Sequence, residues 1–499
     1  MVSESTADLI RFENTIGGQP AGAAGSWFTT VDPNTGQPWA QIPKCGPNDV
    51  NAAVEAARNA FYDPAWRDIT ATARGQLLNR LADIIAEEAE RLIALEVRDN
   101  GKLIQEVRGQ LNYIPQWFRY FGGLADKIQG DVLPIDKPGM HAHTCREPLG
   151  VVACITPWNS PLMLLTWKLA PALAAGNTCV VKPSEHTSAS TLAFLALFEK
   201  AGFPPGVVNS VTGFPAEVGE PLVRHPDVRK VAFTGGDAGG LSVYRSAAEG
   251  LKPVTLELGG KSPNIIFEDA NLENAVNGAI SGIFAATGQT CIAGSRLLVQ
   301  RSVHDQVVER LVELAKTAIM GDPKRADTQV GPVTTQPQLQ RILDYIQIAR
   351  DEGAQCVLGG GVPDASTLGG GWFVEPTVLT GVNNQMRIAR EEVFGPVLAV
   401  IPFDDEAEAL SIANDSPYGL AAGVWTSDIG RSLRMSNRLE AGTVWINCYR
   451  AASFLAPFGG YKSSGIGREN GQEAIDAYLQ TKTVWIDTTG KVANPFVMR

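Results

Sequence analysis

The chain has 499 residues, 44% of them apolar, and 53 acidic against 42 basic side chains, for a formal net charge of −11. That composition supports several buried cores and excludes a disordered or fibrous protein. The acidic balance, with no Lys/Arg-rich run, argues against nucleic acid or an anionic membrane as partner.

Seven cysteines without a CxxC spacing read as free thiols of a reducing compartment, so a cytoplasmic protein is expected. The first fifteen residues have no basic segment followed by an apolar run, and so no export signal. The most apolar stretch, residues 161–176, is interrupted by Lys168 and Pro171 and is too short to cross a bilayer.

In chain order, the first 50 residues are rich in Gly, Pro, Asn and Asp and read as irregular structure with short strands. From Leu77 to Val97, apolar residues recur at three- and four-residue steps. That predicts one amphipathic helix, stopped near Gly101. A second helix is predicted over 110–127, bent or started at Pro115. Residues 130–136 and 141–148 read as extended. His141 and His143 form an HxH pair with no Cys or acid nearby to complete a site, so they are read as surface histidines and no metal is expected.

From Leu149 the rhythm changes. Short Val/Ile-rich strands (149–157, 177–184, 207–213, 230–236, 253–260) alternate with helices (162–175, 187–202, 215–224, 238–250). This predicts a parallel sheet with right-handed crossovers and a ligand site at the carboxyl ends of its strands. A second αβ series begins near Pro263. It has a helix over 273–287, the loop GQTCIAG, a strand 295–300, a helix 304–319, and strands in PTVLTGV, PVLAVIPF and GTVWINCY. The late strand TKTVWIDT lies far from a compact core and reads as an edge that pairs with a neighbouring subunit.

Several residues carry chemistry. Cys291, in TGQTCIAGS, sits in a glycine-flanked loop. A thiolate there is a strong nucleophile, although a lone cysteine also serves as a small core residue. Glu257 ends an apolar strand before Gly259–Gly260. It is either a general base tuned by burial or an acid paired with Lys261. Asn159, in ITPWNSPL, is an oxyanion donor or a turn former. Lys182 and Glu185, in VVKPSE, suit a ribose or phosphate, and the glycines of FTGGDAGG open a helix where phosphate is favoured.

Taken together and in order, ITPWNSP, VVKPSE, FTGG, LELGGKSPNI, GQTCIAGSR, EEVFGPV and PFGGYKSSGIGRENG resemble the NAD(P)-dependent, acid-forming branch of the aldehyde dehydrogenase superfamily. The resemblance runs from about Phe28 to Ile486. It implies an α/β fold with a Rossmann-like coenzyme domain (1–128 and 149–259), an α/β catalytic domain (260–478) and a β bridging arm (129–148 and 479–499). It also implies a homodimer or homotetramer built by that arm.

By the same resemblance, Cys291 is the nucleophile, Asn159 and the Cys291 amide form the oxyanion hole, and Glu257 activates water. Lys168 and Glu469 form a polar pair behind Glu257 that relays its proton. Thr156, Trp158, Lys182, Glu185, Gly235, Gly236, Gly240, Leu258, Glu392 and Phe394 hold the cofactor. Tyr113, Trp117, Thr290, Ile292, Arg450 and Phe458 line the aldehyde side, with Ser160, Leu164, Trp167 and Phe454 near them. Arg450 suits a carboxylate, as in a semialdehyde, or else a surface or inter-subunit ion pair, and the aromatic residues equally suit a ring-bearing or aliphatic aldehyde.

The family pattern usually has Gly-Ser-Thr where this chain has Gly235-Gly236-Asp237. The serine hydroxyl is missing, and Asp237 is expected to point outward, away from phosphate. Glu185 favours NAD over NADP. Three alternatives stay open: a CoA-acylating relative, a catalytically silent protein of the same fold, and a cysteine hydrolase. Glu257 argues against the first, and the want of a histidine near the Cys291 motif argues against the last.

Overall fold

The computed structural model describes residues 9–22, 25–364, 368–491 and 494–496. The first eight residues, where most of the export-signal reading falls, lie outside the described residues. Two large sheets carry the architecture. The first has strand order 208–210, 178–182, 151–155, 228–234, 254–257, all parallel, with Gly465–Ile466 added antiparallel at the edge. The second has order 355–358, 377–380, 397–403, 296–300, 263–266, 421–425, 443–446, parallel except for Gln355–Leu358. A third, antiparallel sheet joins Leu479–Asp487, Met140–Pro148 and Val132–Leu133.

The strands are buried because helices cover both faces, as their continuous apolar runs require. The helix Pro161–Ala174 lies against the first sheet, and every one of its residues except Met163 is buried. The most apolar stretch of the chain is therefore a central core helix. Among the described residues, no helix is long and apolar enough to cross a membrane.

Several expected elements differ in detail. The helix expected from 77 to 97 is two, Ala71–Glu87 and Ala89–Asn100, which meet at Glu88 (φ −91°, ψ 5°). The apolar spacing runs through the break and hides it; Gly101 ends the second helix at φ +76°, as expected. The next helix, Ile104–Leu124, starts six residues early and passes Pro115 uninterrupted. Its buried Leu111, Ile114, Trp117, Phe118 and Phe121 hold it together across the missing hydrogen bond. The helix expected over 187–202 is also two, Ser188–Leu195 and Leu197–Lys200. The helix expected over 273–287 stops at Phe284, where Ala286 and Thr287 enter the left-handed region. Strands 355–358 and 421–425 were not read from the sequence.

Arg296 ties the second sheet to its flanking loops. Its guanidinium is fully buried and donates to the carbonyls of Lys261, Ile412 and Ala413 and to Asn384 Oδ1, at 2.8–2.9 Å. Replacing it strands those acceptors in the core. Arg296→Met is expected to lower unfolding free energy by about 3 kcal/mol or more, read by urea denaturation.

Candidate active site

The carboxyl ends of the first sheet face a cleft of about 410 Å³. Trp158, Asn159, Leu164, Gly235, Gly236, Asp237, Glu257, Leu258, Cys291, Glu392 and Phe394 line it. A neighbouring cavity of about 440 Å³ shares Trp158 and the glycine turn, and reaches Thr156, Lys182 and Glu185.

Cys291 is set by the loop before it. Ala286, Thr287 and Gly288 take φ of +54°, +52° and +69° in succession. Such backbone costs of order 1–3 kcal/mol per non-glycine residue and persists only where contacts enforce it. Here Glu106 accepts from the Ala286 amide (2.7 Å), Thr287 donates to the Gly331 carbonyl (3.2 Å), and the Thr334 amide donates to Gln289 (2.9 Å). A Cβ on Gly288 would lie 2.1 Å from the Gly395 carbonyl oxygen, so only glycine fits. A Cβ on Gly260 would lie 2.6 Å from the Cys291 carbonyl oxygen, so the Glu257 strand presses directly on the cysteine loop. Burial pushes the thiol up to about 12, with Glu392 and Glu257 adding to it and the Cys291 and Ile292 amides opposing.

Asn159 is buried, and its Nδ2 donates to the Gln289 carbonyl at 2.9 Å, which leaves a second proton available on the same amide. Glu257 ends its strand with both carboxylate oxygens buried and unpartnered among the described residues. Burial, then the facing Glu469, raises its carboxyl well above the usual range, against Lys168 and Arg468. Behind it, Lys168 donates to Glu469 (2.6 Å) and to Thr234 (2.5 Å), all three buried. The structure thus brings together Cys291, Asn159, Glu257, Lys168 and Glu469, which are spread over more than 300 positions of sequence.

On the other wall, Glu392 accepts from the Gly260 amide (2.9 Å), and burial lifts it to about 7. Phe394 meets Trp158 edge-on, with centroids 5.2 Å apart. Leu258 fills the space in front of Gly240, where a Cβ would come within 2.3 Å of it. Lys182 is buried, 3.8 Å from Glu185.

Asp237 does not point outward. Its carboxylate accepts from the Gly259 amide (3.0 Å) and the Tyr418 hydroxyl (2.5 Å), which pull it across the cleft. Tyr418, Gln338 and Arg341, which also line the cleft, were missed from the sequence. The Tyr418 contact joins residues 181 positions apart, and no local pattern announces it.

The residues expected on the aldehyde side and their neighbours divide into two groups. Tyr113, Trp117, Trp167, Phe454 and Phe458 form one run of ring contacts with centroids 4.8–6.0 Å apart. Trp117 is fully enclosed, and its indole donates to Asn470 (2.7 Å). Cys291 and Ile292 pack against this cluster, and Thr290 is half-buried beside them. The polar group is Lys102, Ser160 and Gln110: the buried Lys102 ammonium donates to the Ser160 hydroxyl, next to Asn159. Arg450, at φ +67°, donates to the Ser281 carbonyl at 3.2 Å. His141 and His143 share a strand face with ring centroids 5.6 Å apart.

Residues 21–484 match the model of the aldehyde dehydrogenase family. The chain is 48% identical over 475 residues to (Z)-2-((N-methylformamido)methylene)-5-hydroxybutyrolactone dehydrogenase of Acinetobacter baylyi, covering 95% of this chain and 96% of the relative. It is 44% identical to a betaine aldehyde dehydrogenase of Mesorhizobium japonicum, covering 95% and 96%. A crystal structure of Staphylococcus aureus betaine aldehyde dehydrogenase in complex with NAD+ superposes with a TM-score of 0.96 at 41% identity, covering 97% of this chain and 96% of that one. A cysteine, a carboxylate and an amide on one cleft, in a chain matched almost end to end, lead to one assignment: the chain belongs to the aldehyde dehydrogenase family.

Proposed function

We propose that the chain oxidises an aldehyde to its acid with NAD, through a covalent acyl intermediate on Cys291. The convergence of Cys291, Asn159 and Glu257 on one cleft carries this reading. The thiol, held high by burial, needs a proton acceptor, and the unpartnered Glu257 lines the same cleft. Sγ bonds to the aldehyde carbon, and the Asn159 amide and the Cys291 N–H hold the resulting oxyanion. A bound nicotinamide supplies the acceptor for the hydride. Glu257 then takes a proton from water, which attacks the thioester and releases the acid. Lys168 and Glu469 receive the proton behind it. A base aimed at water favours hydrolysis over transfer to CoA.

The cavity walls fit the cofactor. The amides at the start of the helix Asp237–Ala248 suit a pyrophosphate. Close packing at Gly235 and Gly240 leaves no room there for a side chain. Lys182 and Glu185 suit the adenosine ribose, and Glu392 the second ribose. Glu185 supports NAD over NADP, since its charge opposes a ribose phosphate. Tyr418 holds the Asp237 carboxylate away from the helix start.

The three-unit division and the oligomer remain part of this reading. The arm supports it, because Leu479–Asp487 is an edge strand with Trp485 and Ile486 half-exposed. All seven cysteines are free, which supports a cytoplasmic setting. An acidic aldehyde is the favoured substrate class. The Acinetobacter relative is named for a 5-hydroxybutyrolactone, the ring-closed form of a 4-oxo acid. Arg450 and the Lys102–Ser160 pair are the candidate polar contacts.

Cys291→Ala abolishes NADH formation but keeps NAD binding, whereas Glu257→Gln keeps a single-turnover burst at 340 nm and loses steady-state turnover. In the wild type, kcat rises with pH above the ordinary carboxylate range, because the raised Glu257 must ionise to act, and the glutamine variant loses that rise. Full turnover in either variant refutes the assigned roles. Tyr418→Phe frees Asp237 toward the pyrophosphate and weakens NAD binding by about 1 kcal/mol, roughly fivefold, by titration calorimetry. Arg450→Ala raises KM for a carboxylated aldehyde by about 1.5–3 kcal/mol and leaves neutral aldehydes unchanged; equal effects on both remove Arg450 from substrate binding.

A further inference from the structure

The inner face of the first sheet carries a polar stripe that the cleft chemistry leaves unexplained. Side chains at register partners of a parallel sheet share a face, and alternate residues along each strand return to it. Thr234 pairs with Glu257, and Ala232 with Thr255 and Cys154. Lys230 therefore lies on the same face as Thr234, Thr255 and Glu257. The rest of that face is apolar or thiol: Val152, Cys154, Cys179, Val181 and Ala232. From the Thr234 level to Lys230 the stripe descends four residues, roughly 13 Å at 3.3 Å per residue.

Lys230 is buried, and Thr255 Oγ1, at 2.7 Å, is its one hydrogen-bond acceptor among the described residues. Its ammonium also lies over the Tyr478 ring, 5.0 Å from the centroid. No carboxylate pairs with it within 4.0 Å among the described residues. A buried ammonium so thinly compensated is costly, and an apolar side chain would suit the face better. Glu469, Lys168, Cys154 and Tyr478 are the titratable groups that face it. Two other buried groups along the stripe also lack partners among the described residues, Glu469 Oε2 and the Tyr478 hydroxyl. The next residue after Tyr478, Leu479, lines a cavity of about 650 Å³ together with Gly150, Val151 and Arg229. Those residues mark the amino ends of the strands, opposite the cleft.

We infer that Lys230 and Tyr478 extend the exit route of the Glu257 proton, carrying it from Glu469 through the sheet to the cavity at its opposite end. This rests on the reading of Glu257 as the water-activating base. The step balances without an oxidant. As the water oxygen bonds to the thioester carbon, its proton passes to Glu257. Collapse of the adduct breaks the C–S bond and leaves the thiolate on Cys291. The Glu257 proton moves to Glu469, then to the Lys230 amine, and leaves past Tyr478. A back exit has a use, because cofactor and acyl group fill the front of the cleft during this step. Burial lowers Lys230 to about 8, where an amine both accepts and gives up a proton near neutrality. Lys230 is then a positioning residue for the proton and touches no reacting atom.

The test separates hydride transfer from proton release in Lys230→Met. Stopped-flow absorbance at 340 nm reads the first, and a pH indicator in weak buffer reads the second. The expected result is an unchanged NADH burst, proton release and turnover slowed about tenfold, and loss of the rise in kcat near pH about 8 as Lys230 sheds its proton. Wild-type proton release and pH profile in Lys230→Met overturn the inference. So does a burst that falls in step with turnover, which marks a structural role alone. If that variant does not fold, Thr255→Val and Tyr478→Phe are read for the NADH burst and proton release, and wild-type proton release or a burst that falls in step with turnover overturns the inference. Glu257→Gln distinguishes the two levels: if it fails to trap the acyl enzyme, the base assignment is wrong, whereas a trapped acyl enzyme with a normal Lys230→Met removes only the exit route.

Discussion

Two buried carboxylates and one buried ammonium lie together: Glu257, Glu469 and Lys168. One positive charge cannot satisfy both acids. Lys168 goes to Glu469, and Glu257 is left with its charged form disfavoured. That imbalance makes an ordinary carboxylate a base of raised affinity for protons. It also dictates much of the surrounding fold. Lys168 can sit in the middle of a buried, largely apolar helix because Glu469 and Thr234 meet it there. Glu469 arrives on the segment whose strand, Gly465–Ile466, is sewn to the Glu257 strand. A Cβ on Gly465 would lie 2.1 Å from the Leu256 carbonyl oxygen, so the approach depends on glycine.

The same logic of close backbone approach sets the nucleophile. Gly260 lets the base strand touch the cysteine loop, and Gly288 lets that loop pass against Gly395. The left-handed run at 286–288 is held by residues from two distant segments, Glu106 on one and Gly331 and Thr334 on the other. Cys291 is thus placed by contacts made far from it in sequence. Burial, Glu392 and Glu257 disfavour its thiolate, and the Cys291 and Ile292 amides oppose them.

At the cofactor end, the acid that follows the glycine turn is disarmed by geometry. Asp237 accepts from the Gly259 amide and the Tyr418 hydroxyl, so its carboxylate is held by two donors from other segments. The aldehyde side is built differently again, with one wall of packed rings and one of hydrogen-bonding groups around Ser160.

Much of this was legible from residues alone. Strand–helix alternation after Leu149 forecast the first sheet, because apolar runs of strand length need cover on both faces. Cys291, Glu257 and Asn159 each have an ordinary structural reading alone, and they stood out only through the joint, ordered match of their motifs to a known family. The break at Glu88, the passage through Pro115 and the split at Ala196 were not legible, since side-chain periodicity records which face is buried and not whether the backbone bends beneath it. Nor were the turn of Asp237 toward Tyr418, the choice of Lys168 between two acids, or the descent of polar groups to Lys230. These depend on register between strands distant in sequence and on where water is excluded. The order of amino acids suffices for the elements, the family and the reactive residue types. The folded arrangement alone decides which charges are paired, which are left bare, and therefore which proton affinities are shifted, because desolvation and Coulomb energy are set by distances that no local stretch of chain contains.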